Sequence, residues 1–361
     1  MPLSAWQRRA ALLAACLALA LAPSQASDHA EVRRENLREI YEGPPAGWPA
    51  AWIDDGVRYA ELRPRDRPPP ASPALAALGE RLFHDKRLSA GGDVACSSCH
   101  DPAAGFTVRS AVARGHRGAP GRRNPPSLAT AAGRLSFGWD GGHPTLEARA
   151  LAPLTDPTEM ANPDLDAVLE RLRAEPDRRE AFGAAGPTEA AVGAALAAFL
   201  SGLDGETRFD RFLRGDGAAL GDREIEGLHL FRTKARCANC HFGPLLTDED
   251  FHNLKISSFG EPAQDLGRHI VSGRAEDAGR FRTPSLRHVA ETAPYMHNGL
   301  FPTLEGVLHL YDRGGGEVWA RNAAEAAHPL YPAAARLSPH IRPLGLTDDE
   351  KASLAAFLRA L

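Results

Sequence analysis

The chain has 361 residues, 43% of them apolar and 24% charged, which suffices for a packed core and excludes wholesale disorder. Its 46 acidic residues outnumber 42 basic ones, which argues against a protein that binds nucleic acid through phosphate contacts. Beyond the N-terminus no apolar run approaches the ~20 residues of a membrane-spanning helix, and the length suggests about two domains.

Residues 1–26 read as a secretory signal. Arg8 and Arg9 form a positive start, Ala10 to Ala22 an apolar run, and Ser24-Gln25-Ala26 a small-residue cleavage site. Leu13-Ala14-Ala15-Cys16 resembles a lipoprotein box, but the apolar run continues past Cys16. Export to the periplasm is the expectation, and it leaves 40 basic against 46 acidic residues. Residues 27–70 form a charged, Pro-rich extension (Pro64, Pro68, Pro69, Pro70) expected to drape over the surface.

Two blocks then carry the chemistry: Cys96-Ser97-Ser98-Cys99-His100 and Cys237-Ala238-Asn239-Cys240-His241. C-x-x-C-H is the attachment signature of c-type haem: two thiols meet the two vinyl groups of one porphyrin, and the adjacent His turns onto the iron. A redox dithiol or a zinc half-site could explain one block, but neither requires His after the second Cys twice. The expectation is two covalent haem c groups, held by Cys96, Cys99 and His100 and by Cys237, Cys240 and His241. Once Cys16 leaves with the signal, no thiol remains for a disulfide.

The chain also repeats itself. Gly79-Glu80-Arg81-Leu82-Phe83 before the first block is echoed by Gly227-Leu228-His229-Leu230-Phe231 before the second. Downstream, Leu196-Ala197-Ala198-Phe199-Leu200 is echoed by Leu354-Ala355-Ala356-Phe357-Leu358. Val192, Leu196, Phe199, Leu200 and Leu203 fall on one helical stripe, and Thr347-Asp348-Asp349-Glu350 opens the last helix as a capping box. Each half reads helix, haem block, long loops, closing helix, the plan of a cytochrome c domain. The expected fold is mostly α, with two cytochrome c-like domains at 71–205 and 206–361.

Longer motifs accompany the blocks: Leu82-Phe83, Gly115-His116, Arg123-Asn124-Pro125-Pro126-Ser127-Leu128, Trp139-Asp140-Gly141, and Pro153 followed by Asp156-Pro157-Thr158-Glu159-Met160. The second half supplies Arg282-Thr283-Pro284-Ser285-Leu286-Arg287, Thr292-Ala293-Pro294-Tyr295-Met296-His297-Asn298-Gly299, Thr303-Leu304-Glu305 and Tyr311. In these the sequence resembles the bacterial dihaem cytochrome c peroxidases and their relative MauG, over nearly the whole chain after the extension.

That resemblance implies a peroxidatic first haem, with His116 as a removable distal ligand; the ordinary alternative is a surface His in a Gly- and Arg-rich loop. It makes Glu159 the distal carboxylate that moves a proton between the oxygens of hydrogen peroxide, with Pro153 across the pocket. Arg149 stands where the family often carries Gln. Trp139 matches the aromatic between the haems, and Asn124, Thr292 and Pro294 match positions that hold calcium, whose ligands are oxygens. Opposite His241, typical peroxidases place Met and MauG places Tyr. Tyr311 matches that Tyr, Met296 is the main alternative, and Tyr295 and His297 are lesser ones. Met raises the potential of a haem, whereas an anionic oxygen favours higher-valent iron. With Tyr311 the implied activity is peroxide reduction, with a Tyr or Trp of a partner protein as electron donor. The alternatives are peroxide removal fed by a small cytochrome or cupredoxin and a non-catalytic dihaem electron carrier. A homodimer is left open.

Overall fold

The computed structural model describes residues 36–66 and 72–361. The expected signal segment 1–26 lies outside the described residues. A short α1 (Leu37–Glu42) and an extended strap to residue 66 lead into α2 (Pro73–Phe83), α3 (Leu146–Thr155), α4 (Leu165–Ala174) and α5 (Glu189–Leu200). The second half holds α6 (Arg208–Leu213), α7 (Asp222–Arg232), α8 (Leu304–Asp312) and α9 (Asp348–Leu358). Among the described residues the one sheet is a two-residue antiparallel pair, β1 (Phe251–His252) with β2 (Phe281–Arg282). No described helix is long and apolar enough to cross a membrane.

Local chemistry sets the helix starts. Thr145, Thr188, Thr207 and Thr303 each accept a backbone N–H from the first turn of α3, α5, α6 and α8. The Thr347–Glu350 capping box forms on α9: Thr347 Oγ1 accepts from Glu350 N and Glu350 Oε2 from Thr347 N. The apolar stripe expected after Val192 is buried at Val192, Leu196 and Leu200, although Leu203 lies beyond the end of α5.

The sequence echo is a structural one. α2 crosses α5 at Gly79, where a Cβ would stand 1.9 Å from the carbonyl oxygen of Ala195. α7 crosses α9 at Gly227, where a Cβ would stand 2.1 Å from the carbonyl oxygen of Ser353. One turn on, Phe83 packs on Phe199 with ring centroids 5.1 Å apart, and Phe231 on Phe357 at 5.4 Å. Each half therefore closes on a glycine contact sealed by a phenylalanine pair; each buried Phe contributes about 1.5–3 kcal/mol.

The strap is anchored rather than merely draped. Leu37, Tyr41, Trp48 and Leu62 are buried, and all four precede the proline-rich stretch. Tyr41 and Trp48 pack against Arg232, the last residue of α7, which is 1% exposed. Its guanidinium pairs with Glu61, donates to Pro49 O at 2.7 Å and to Tyr41 Oη at 3.1 Å, and lies 5.2 Å from the Trp48 ring centroid. The two halves are joined by Arg123, which grips Asp265 at 2.6 and 2.8 Å, and by Arg282 N, which donates to Trp139 O at 2.8 Å.

The glycine contacts yield a direct test. Alanine is the better helix former by about 1 kcal/mol, yet at Gly79 or Gly227 its methyl would overlap a backbone carbonyl that cannot swing aside. Overpacking of that kind costs about 1–3 kcal/mol, so Gly79→Ala and Gly227→Ala should each lower the denaturation midpoint. Gly47→Ala, with open space around it, should not.

Candidate active site

The first block forms one helical turn, Cys96–Cys99, and the second a 3-10 turn, Cys237–Asn239. In both the following histidine folds back in the same way. His100 N donates to Cys96 O and His241 N to Cys237 O, each at 2.9 Å. His100 Nδ1 donates to Phe106 O at 2.9 Å and His241 Nδ1 to Leu246 O at 3.0 Å. A carbonyl only accepts, so Nδ1 carries the proton and Nε2 keeps its lone pair, the tautomer a metal-ligating imidazole needs. Burial lowers both imidazole pKa values, that of His100 to about 4, which keeps the rings neutral. Burial likewise pushes the Cys96 and Cys237 thiols up to about 12 and Cys99 to about 11. The four cysteines form no disulfide.

Each block opens onto its own cavity. The one at Cys96, Cys99 and His100 has about 900 Å³ of empty space, open mouth included, and brings Arg149, Pro153, Glu159 and Met160 together with Phe83, Leu196 and Leu200. The one at Cys237, Cys240 and His241 has about 1780 Å³ on the same measure and holds Trp139, Met296, His297 and Tyr311. Pro126, Ser127, Arg134 and Arg282 line both and so form the dividing wall. Phe137 and Gly138 face the first cavity and their neighbour Trp139 the second. Trp139 is fixed by its Nε1, which donates to Asn124 O at 2.8 Å.

These residues fit covalent haem. Thiols, neutral imidazoles and largely apolar walls suit the ring, and the dividing wall suits its carboxylates. Arg134 lies 3.0 Å from Glu249 and Arg282 lies 3.5 Å from the same Glu249, all three at most 7% exposed. Two guanidiniums on one carboxylate leave a buried positive charge, which is costly unless an anion completes it. Arg236 Nε, Thr283 Oγ1, Arg287 Nε and His297 Nδ1 are buried around the larger cavity without a hydrogen-bond partner among the described residues.

Around the first cavity, Arg149 Nη2 stands 3.9 Å from Glu159 Oε1, an ion pair too long for a hydrogen bond. Burial raises the pKa of Glu159 above the ordinary carboxylate value, with Arg149 pulling the other way. His116 is not brought to His100. It does not line the cavity, and its Nδ1 lies 2.9 Å from Asp93 Oδ1. Its backbone is docked on the carboxylate loop, His116 N donating to Glu159 O at 2.7 Å.

The candidate distal groups of the second cavity separate by their partners. Tyr295 Oη donates to Val289 O at 3.0 Å. His297 stacks on Phe281, with centroids 3.7 Å apart and an interplanar angle of 13°. Met296 lines the cavity from a left-handed backbone, φ +73°. Tyr311, on the last turn of α8, lines the same cavity, and its hydroxyl makes no hydrogen bond among the described residues. Burial, then the neighbouring Cys240 and Cys237, raises its pKa. Asn124, Thr292 and Pro294 share this cavity wall. There Asn124 Nδ2 donates to Ser110 O and Ala111 O, and Thr292 Oγ1 to Val289 O.

Sequence reasoning passed over the Arg134–Glu249–Arg282 cluster, because its members are spread along the chain; Arg282 alone sits in a noted motif. It also passed over His252, whose Nε2 lies 2.9 Å from Asp248 Oδ2 and 3.7 Å from Cys240 Sγ.

Residues 73–218 match the family described as di-haem cytochrome c peroxidase. The chain is 39% identical to the methylamine utilization protein MauG of Methylorubrum extorquens over 314 residues, covering 84% of this chain and 82% of that protein. It is 34% identical to the cytochrome c peroxidase Ccp of Escherichia coli over 264 residues, 70% of this chain and 56% of that protein. Among solved structures it is similar to a MauG-like protein associated with microbial copper homeostasis, with TM-score 0.71 and 34% identity, covering 86% and 95% of the two chains. The diheme peroxidase BthA of Burkholderia thailandensis is similar at TM-score 0.68 and 25% identity, covering 86% and 92%. With these motifs, cavities and relatives, the chain belongs to the di-haem cytochrome c peroxidase family and is a peroxidase enzyme of that kind.

Proposed function

We propose that this is a periplasmic, MauG-like enzyme in which two cytochrome c-like domains, 71–205 and 206–361, each hold one haem c, and that a protein side chain is its reductant. Cys96, Cys99 and His100 hold the first group and Cys237, Cys240 and His241 the second, with Tyr311 as the second iron's distal ligand. Bound haem supplies redox-active iron that takes oxidising equivalents from hydrogen peroxide. The observation that carries this reading is the Tyr311 hydroxyl, unpartnered among the described residues in a cavity walled by the second block, while the rival phenol of Tyr295 is already satisfied. A metal ligand must shed its proton, so Tyr311 would present a phenolate, a donor that favours higher-valent over reduced iron.

In the first cavity Glu159 is the group placed to accept a proton from one oxygen of hydrogen peroxide and return it to the other. Pro153 leaves the Arg149 carbonyl without its helical donor and shapes the wall beside Glu159. Arg149, close to but not clamped on Glu159, adds positive charge where peroxide is polarised. With His116 held by Asp93, the first site stands open without an activation step. Trp139 relays oxidising equivalents between the cavities, its neighbours Phe137 and Gly138 belonging to the first wall. Calcium at Asn124, Thr292 and Pro294 would stiffen the junction. A donor protein with an oxidisable Tyr or Trp follows from a second haem that is hard to reduce. A small cytochrome as donor is the second reading, and Met296 on the same cavity wall is what favours it.

Low-temperature EPR and near-infrared spectra of the ferric holoprotein decide the ligand. Tyr311→Phe should abolish the second haem's axial signature and Met296→Leu should leave it intact; the reverse pattern would return the protein to peroxide removal with a small cytochrome as donor.

Glu159→Gln should slow peroxide turnover by about 10²-fold or more, the range of general acid–base catalysis. Because burial raises the carboxyl pKa, wild-type turnover should fall with decreasing pH along a limb centred above the ordinary Glu value. Below it the carboxyl holds its own proton and cannot take another. The limb should be missing in Glu159→Gln, and an unchanged pH profile would remove Glu159 from the mechanism.

A further inference from the structure

The strap reaches the second cavity through one carboxylate. Asp54 pairs with Arg236, the residue before Cys237, through Oδ1. Its Oδ2 accepts from His340 Nδ1 at 3.0 Å and from Arg342 Nη2 at 2.7 Å. The Asp54 backbone N–H donates to Asn239 Oδ1 at 2.7 Å, inside the second Cys-x-x-Cys-His block, and Asn239 Nδ2 donates back to Trp52 O at 2.9 Å. Arg236 sits at φ +55°, a backbone state that a residue other than glycine keeps only where its surroundings hold it.

The same carboxylate reaches a second segment of the cavity wall. Arg236, His340 and Arg342 all line it. The segment that follows Arg342 is pinned to the end of α8 just beyond Tyr311: Leu344 N donates to Asp312 O at 2.9 Å and Leu346 N to Asp312 Oδ1 at 2.8 Å. Asp54 thus joins the loop that carries His241 to the segment that backs Tyr311, although it belongs to neither.

We infer that Asp54 is a positioning residue for the second cavity, clamping two segments of its wall together and holding down the reduction potential of the group bound there. The inference rests on the reading that Cys237, Cys240 and His241 hold a haem, and not on which residue is the distal ligand. The Asp54 side chain is 18% exposed, so solvent screens its charge only in part. Without it, Arg236 and Arg342 stand unbalanced at the rim and disfavour the more positive, oxidised iron.

Potentiometric titration of the full-length holoprotein, followed through the separate spectra of its haems, compares Asp54→Asn with Arg342→Gln. Asp54→Asn should raise the second haem's midpoint, favouring the reduced form about tenfold, or ~59 mV for one electron. Arg342→Gln should lower the midpoint, and the first haem should stay put in both. Arg342 is 47% exposed, so its variant keeps the test open even if Asp54→Asn fails to fold. Shifts of the same sign in both variants, or no shift beyond a loss of thermal stability, would overturn the inference. Intact mass on the same samples separates the two ideas. A chain with a single haem sinks the reading of the second block and the inference with it, whereas two haems with unmoved potentials sink the role of Asp54 alone.

Discussion

Two helix crossings made without a side chain at their centre support everything else in this molecule. At Gly79 and Gly227 one backbone lies so close to the carbonyl of another helix that even a methyl group would collide. Close approach brings Phe83 onto Phe199 and Phe231 onto Phe357, and these pairs seal one side of each half. Phe83 lines the smaller cavity and Phe231 the larger. The packing that stabilises each half is thereby also the back wall of its site.

From that common frame the two sites diverge by what surrounds them. Both histidines are aimed by the same Nδ1-to-carbonyl hydrogen bond, so the proximal sides are alike. The distal sides are not. The first cavity meets an ionisable pair, Glu159 with Arg149 at 3.9 Å, suited to moving a proton. The second meets a phenol with no partner among the described residues, suited to binding a cation once deprotonated. Between them stands a wall in which Arg134 and Arg282 share Glu249, and its surplus positive charge serves both cavities. In the proposed reading, proton chemistry belongs to one site and charge storage to the other, with Trp139 at their junction.

The strap before α2 packs mainly on the second half. It is fastened at Arg232, where a fully buried guanidinium is satisfied by Glu61, Pro49 and Tyr41. Breaking a buried pair on one side costs far more than forming it gains, so this latch is better suited to fixing the strap's register than to adding stability. Register is what matters for Asp54, whose bonds to Arg236, Asn239, His340 and Arg342 require it at that one position along the strap.

What the sequence determined by itself was local or periodic. Covalent attachment needs two thiols and an imidazole within five residues, many helix starts are marked by a short polar side chain at the cap, and an internal echo needs only comparison of the chain with itself. Hence the Cys-x-x-Cys-His blocks, the Thr347–Glu350 cap and the paired helices were legible, and family resemblance added Glu159, Trp139 and Tyr311 as residues worth locating. What tertiary structure decided was the partner of each side chain. Tyr295 and Tyr311 are both tyrosines of the same motif region, yet only one hydroxyl is spent on a backbone carbonyl. His116 lies 23 residues from the Asp93 that holds it, and Arg134 lies 115 from Glu249. Such pairings depend on how distant segments meet in space, which a linear pattern of residue types does not encode; folding alone turns them into a wall, a latch or a vacant hydroxyl.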